Sequence, residues 1–313
     1  MQKTYTLIYV FVLISLSQII HAQGIDSTKK VDLTKKVDST KKKSSLLIGV
    51  NYISNNVYLG RTDSVVTPNF NAQVTYTLKS GIYFSGGLTY IPNRTFDRLD
   101  AGILEAGYTF DHNDLSGAVS VSKYFASFIS TEVVSAIDAN LSGELDYDFH
   151  FISASIKADY ALAKSNGGND FILTGGLQHE FDVTNPFSTN DALSISPAIF
   201  LNAGTQNFYT TYIIRKKNSA AAIKAHGGGK GKTVNPVAPA PTSTTSTVNT
   251  NKFQLLDNEY EIPITYSIKN LGFEFTPKYV VGHNIISDNP TTTTTYIPNT
   301  SLFYFKIGIN YTF

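Results

Sequence analysis

The sequence predicts an all-β chain: an up-and-down antiparallel β-barrel of about 12 strands that crosses a membrane. Three observations carry this. Apolar and polar residues alternate with period two from residue 46 to the end, the signature of a strand with two different faces. The connections between alternating segments are short and long by turns. Charged residues make up only 16% of the 313 residues and apolar ones 42%, where a soluble domain carries roughly 25% charge.

The chain opens on an address. Lys3 supplies a positive start, Leu7–Ile20 a mostly apolar stretch, and His21-Ala22 a small-residue end, so residues 1–22 read as a secretory signal peptide cut before Gln23. The stretch is short for a spanning helix, which needs roughly 20 apolar residues. A hexapeptide then occurs three times, at Asp26–Val31, Asp32–Val37 and Asp38–Lys43, with seven Lys and three Asp. Its period fits neither helix nor strand, and its apolar content is too small to offset ordering entropy. Residues 23–45 are therefore expected to form a disordered Lys-rich periplasmic tail.

Residues 46–313 are expected to be the barrel. Phe70, Ala72, Val74, Tyr76 and Leu78 alternate with Asn71, Gln73, Thr75 and Thr77; Ile152, Ala154, Ile156, Ala158, Tyr160 and Leu162 alternate with Ser153, Ser155, Lys157 and Asp159. The last segment sets Phe303, Phe305, Ile307, Ile309, Tyr311 and Phe313 against Tyr304, Lys306, Gly308, Asn310 and Thr312. Twelve such segments have cores near 46–54, 70–78, 81–90, 99–110, 115–125, 149–162, 170–181, 193–202, 206–215, 258–269, 271–282 and 301–313. Longer loops fall at about 55–69, 91–98, 126–148, 182–192, 216–257 and 283–300. An even strand count with both ends on the short-turn side is what a closed up-and-down barrel requires.

The faces follow from filling. An interior 12 strands around is too wide for an apolar core of single side chains, so the apolar face is expected to meet lipid and the polar face to line a wet lumen. Glu105, Lys157, Asp159, Glu180, Lys269, Glu274, Lys278 and Lys306 are the lumen-lining candidates. Tyr52, Tyr90, Tyr108, Tyr160, Tyr266, Tyr279 and Tyr311 fall near strand ends, where interfacial aromatics collect.

Signal peptide, amphipathic strands of this length, alternating loops and a last strand ending Tyr311-Thr312-Phe313 together resemble the outer-membrane β-barrel family of Gram-negative bacteria. The resemblance implies an integral cell outer-membrane location, with the N-terminal tail and the C-terminus periplasmic. It implies outer-membrane lipid and lipopolysaccharide as surroundings and the barrel-assembly machinery as a partner, with Phe313 as the assembly signal. It assigns no subfamily.

Chemistry is sparse in this sequence. Cys and Trp are absent, which excludes thiolate metal sites and cysteine nucleophiles, and a net charge of +1 gives no general pull toward nucleic acid. Gly-rich phosphate loops and zinc spacings are missing. His150 lies near Ser153 and Ser155 but out of phase with them, so no hydrolase triad forms on one face. Asp97 and Asp100 are read as solvated loop carboxylates. The acidic stretch 126–148, with Glu132, Asp138, Glu144, Asp146 and Asp148, is read as a solvated outer loop, and 216–257 as a long low-complexity outer loop bearing six Lys. The reading is thus non-enzymatic, with no catalytic residues, no metal and no cofactor: a narrow passive pore for small polar solutes. The alternative is a non-conducting structural or surface-interaction barrel that acts through its extracellular loops.

Overall fold

The computed structural model describes residues 43–62, 66–94, 98–127, 130, 132–164, 168–212, 251–286, 296–297 and 300–313. The signal peptide and most of the Lys-rich tail and of the low-complexity loop lie outside the described residues. Twelve strands form the wall: β1 (Ser45–Ile53), β2 (Asn69–Thr77), β3 (Ile82–Tyr90), β4 (Leu99–His112), β5 (Leu115–Ala126), β6 (Ile137–Asp148) and β7 (Ser153–Ala163) come first. Then come β8 (Asp170–Gln178, resuming as Phe181–Thr184), β9 (Asp191–Ile195, resuming as Ala198–Gly204), β10 (Gln254–Glu261, resuming as Ile264–Ile268), β11 (Leu271–Gly282) and β12 (Thr300–Thr312). Each strand pairs antiparallel with its sequence neighbours, and β12 pairs with both β11 and β1. That last pairing closes the sheet, so no ladder hydrogen bond is left at an edge.

The interruptions in β8, β9 and β10 sit side by side. His179 N–H donates to Pro197 O, Ser196 N–H to Pro263 O, and Ile262 N–H to Pro277 O. A proline cannot donate to the ladder, so Pro197, Pro263 and Pro277 on adjacent strands draw a crease across this part of the wall. The turn after β2 needs its glycine: Gly81 has φ +93°, and a Cβ there would lie 2.2 Å from Thr109 O.

Twelve strands are present, but not the expected twelve. The stretch 126–148 is not a loop, because Ile137–Asp148 is a full strand. Leu141, Leu145 and Tyr147 face outward from it, and Asn140 and Ser142 are buried. The period was there to read; four acids placed on its inward positions and its end made it look solvated. Conversely, the described part of the expected strand 206–215 is not a strand: residues 207–212 are helical, begun by Asp170, whose carboxylate accepts the N–H groups of Asn207 and Phe208 at 2.7 Å each. The two errors offset each other, so the count survived while the sides of the loops changed. Residues 164–169 join the long-loop side, 185–190 the short-turn side, and the long connection ends at Gln254 rather than 257.

Candidate functional site

The wall is inverted relative to a soluble protein. Leu104 and Leu141 on its outer face are 59% and 58% exposed, whereas Asn71 and Glu274 on the inner face are 0% exposed. A band of Ile48, Val50, Val74, Leu88, Val119, Val121, Ile156 and Leu201 continues around the outside. Such a surface is stable only against hydrocarbon. The chain is an integral membrane β-barrel. Tyr52, Tyr90, Tyr160 and Tyr279 mark the long-loop rim and Tyr108 and Tyr311 the short-turn rim, all at outward positions. Tyr266 instead donates its hydroxyl to Asp191.

Inside, polar side chains satisfy one another across strands. Asn71 donates to Asn69 at 2.7 Å and accepts from Thr89 at 2.7 Å. Gln73 donates to Ser85 at 2.7 Å, and Tyr83 to Glu105 at 2.6 Å. Lys278 Nζ lies 2.5 Å from Glu261 Oε2, its directly opposite residue on β10. Lys157 lies 3.5 Å from Asp159 on its own strand. Of the eight lumen-lining candidates, Glu105, Lys157, Asp159, Glu274, Lys278 and Lys306 are buried or half-buried at inward positions. Lys269 is not inside: it occupies the two-residue turn after β10 with φ +55° and is exposed, because alternation stops where the hairpin needs a left-handed residue. Glu180 lies in the break between the two parts of β8, where the register with β9 runs on unchanged, so it keeps the inward phase opposite buried Ser196; it is exposed and accepts from Ser194 at 2.7 Å.

The mouth on the long-loop side is filled. A short ribbon, Val57–Tyr58 against Arg61–Thr62, the turn Val133–Ala136 and the helical residues at 207–212 meet there. Tyr58, Leu59, Val133, Val134, Ala136, Phe208 and Tyr212 join inward-facing Tyr124, Ile137, Ala161, Ile172 and Leu256 in one apolar cluster. The Tyr58 and Phe208 rings meet edge-on, 5.0 Å apart. Arg61, 1% exposed, ties the segments together. Its guanidinium donates to Leu59 O, to Leu256 O at 2.8 Å, to Gln206 Oε1 at 2.9 Å and to His283 O at 2.9 Å. Burial lowers its pKa to about 10, against the pull of Asp257, so the group remains charged at neutral pH. This plug was not anticipated. Its sequence signal was Val57-Tyr58-Leu59-Gly60, an apolar run inside an otherwise polar loop.

Glu132 is a second buried group of the plug. Burial first, and Asp100 second, push its carboxyl up to about 8. Asp100 itself is held by Arg94 at 2.5 Å and Ser130 at 2.6 Å, not solvated as expected. Because Glu132's folded value lies above its ordinary 4.5, the folded chain keeps a proton that the unfolded chain has released between about pH 4.5 and 8. Stability contributed by neutral Glu132 is therefore complete below that window and lost as pH rises through it, at about 1.4 kcal/mol per pH unit. Thermal unfolding followed from pH 5 to 8 is expected to shift downward in the wild type, and Glu132→Gln is expected to flatten that slope.

The sites weighed for catalysis do not assemble. His150, with φ +68°, lies exposed in the turn after β6, 3.9 Å from Asp114, whereas Ser155 faces the interior. Asp97 lies outside the described residues. Among the described residues no three His, Asp or Glu side chains converge as direct metal ligands.

No protein-family model matches the chain, and no curated protein does. Among solved structures it is similar to the KdgM porin (9% identity, 86% of this chain and 99% of that one, TM-score 0.40). It is also similar to the NanC porin (10%, 85% and 98%, 0.41) and to LpxR from Salmonella typhimurium (11%, 85% and 99%, 0.43). At these scores the likenesses decide nothing about activity.

Proposed function

We propose that the protein is a non-enzymatic passage for small polar solutes across the outer membrane, held shut at one mouth by its own inward-folded loops. The observation that carries this reading is the change of chemistry along the interior. The mid-barrel is lined by polar and charged side chains, while the apolar seal is built chiefly from loop residues that can leave without breaking the wall. The short turns and both chain ends share the opposite side, which supports a periplasmic N-terminal tail and C-terminus and an outward-facing plug. Phe313, exposed and stacked edge-on to Tyr311 at 4.6 Å, is available as the assembly signal, and lipopolysaccharide would meet the long-loop rim.

A second reading, a non-conducting barrel working through its outer loops, is favoured by the tight burial of Asn71, Thr276 and Lys278 at no more than 2% exposure. Planar-bilayer recording separates the two. Discrete steps on release of the plug support a passage, and silence after release leaves the surface-interaction barrel.

A further inference from the structure

The hairpin that joins β8 to β9 overhangs its neighbour. β7 stops pairing with β8 where Ser153 faces Gln178, and the turn beyond it meets β8 once more, His179 Nδ1 against Phe151 O. Phe181–Thr184 runs on past that point, paired only with Asp191–Ile195 of β9. Among the described residues no strand lies along its other edge, and all four of its side chains are exposed.

The groups on that edge follow from the ladder. Asn185 N–H donates to Asp191 O at 2.8 Å and His179 N–H to Pro197 O at 3.1 Å. Antiparallel bonding alternates along a strand, so Phe181 and Val183 bond to β9, while the N–H and C=O groups of Asp182 and Thr184 point to the open side. The tip is pinned as well, because the Asp191 carboxylate accepts from Phe187 N–H at 3.2 Å and from Ser188 N–H at 3.0 Å. A fixed edge with unpaired main-chain groups is a template for one more strand. We infer that the chain's own Lys-rich segment, residues 26–42, docks on this edge as that strand.

Side, reach and charge choose this occupant. β1 begins at Ser45 opposite Thr77, beside a short turn, so the segment enters on the same side as the overhanging hairpin. From β1 through β12 to β8 is five strand spacings, roughly 24 Å along the wall, and 17 residues span up to about 55 Å. The segment carries six Lys and three Asp. The edge carries Asp182, and the turns next to it carry Asp114 and Asp148, whereas Lys79 and Lys269 occupy turns of other hairpins. Strand addition is made by main-chain bonds, so it asks of the segment neither apolar surface nor a strand period, and no Pro interrupts residues 26–42.

Tethering decides between this segment and a free one. Four residues offer few bonds, so a free peptide binds weakly, but a tethered one is present at an effective concentration on the order of millimolar. A second copy does not fit. Antiparallel pairing of the same edge from two barrels needs a two-fold axis through the wall, which would set one barrel upside down in the membrane. The inference is independent of whether the barrel conducts.

Hydrogen exchange and disulfide trapping test it on the refolded mature chain in detergent. The amides of Asp182 and Thr184 are expected to exchange at least tenfold more slowly than in a chain lacking residues 26–42, with the amides of 141–145 unchanged. In the full chain, which has no Cys, Thr184→Cys is paired with one cysteine at a time between positions 29 and 41. Under mild oxidation the best of these pairs should close at least tenfold faster than the same positions paired with Ser80→Cys, in a turn nearer to β1. Asp182→Lys should reduce both effects. Equal exchange with and without residues 26–42, in barrels of normal heat-modifiable gel migration, would overturn the inference. So would closure no faster than at position 80. Protection that grows with protein concentration would assign the edge to a second copy and overturn it too.

Discussion

Arg61→Met is expected to turn a silent barrel into a conducting one. The substitution keeps most of the stem volume and removes the donors that hold Leu256 O, Gln206 Oε1 and His283 O together. Each buried acceptor left without a partner costs about 1–3 kcal/mol, so the folded-in position of the ribbon loses several kcal/mol relative to an outward one where water satisfies the same groups. The wall is untouched, since Arg61 belongs to no barrel strand. In a planar bilayer the wild type should show rare or no openings and Arg61→Met frequent discrete steps. A variant as silent as the wild type, with normal insertion, would mean that the mid-barrel packing itself blocks passage.

Lys278→Met is expected to be the most destabilising single change in the wall. Lys278 is 2% exposed and meets Glu261 at 2.5 Å, with Glu259 and Glu274 also buried on β10 and β11. Removing the ammonium leaves a buried carboxylate without its countercharge, at a cost of about 3–5 kcal/mol. The midpoint of urea unfolding, read by gel shift, should fall accordingly. The double variant Lys278→Met/Glu261→Gln should recover most of the loss, because the stranded charge goes with its partner. A loss under about 1 kcal/mol for the single variant would show that water reaches this pair.

These two residues also divide what could be read in the sequence from what could not. Lys278 was placed on the inner face by alternation alone, since parity within an unbroken strand depends only on the pleat. Its partner Glu261 was not assigned, because register across strands is set by turns and bulges that alternation does not encode. Lys269 shows the same boundary: parity fails at a turn residue with positive φ. The strand at 137–148 alternates as cleanly as any other, yet its acids were weighed as loop composition. The sense of the whole wall, apolar out and polar in, was legible because only one arrangement fills a 12-strand interior. Arg61, Phe208 and Glu132 were invisible as site residues, for the plug is tertiary, assembled from loops far apart in sequence.

A single series of labelled variants tests the central claim, that this wall crosses a bilayer with residues 137–148 as one of its strands. The chain has no Cys, so one cysteine at a time can be placed at positions 139 to 147 and labelled with a fluorophore after reconstitution with brominated lipid. Lipid quenching should alternate, strong at 139, 141, 143, 145 and 147 and weak at 140, 142, 144 and 146. Uniformly weak quenching along the series would return this segment to an outer loop and contradict the barrel described above.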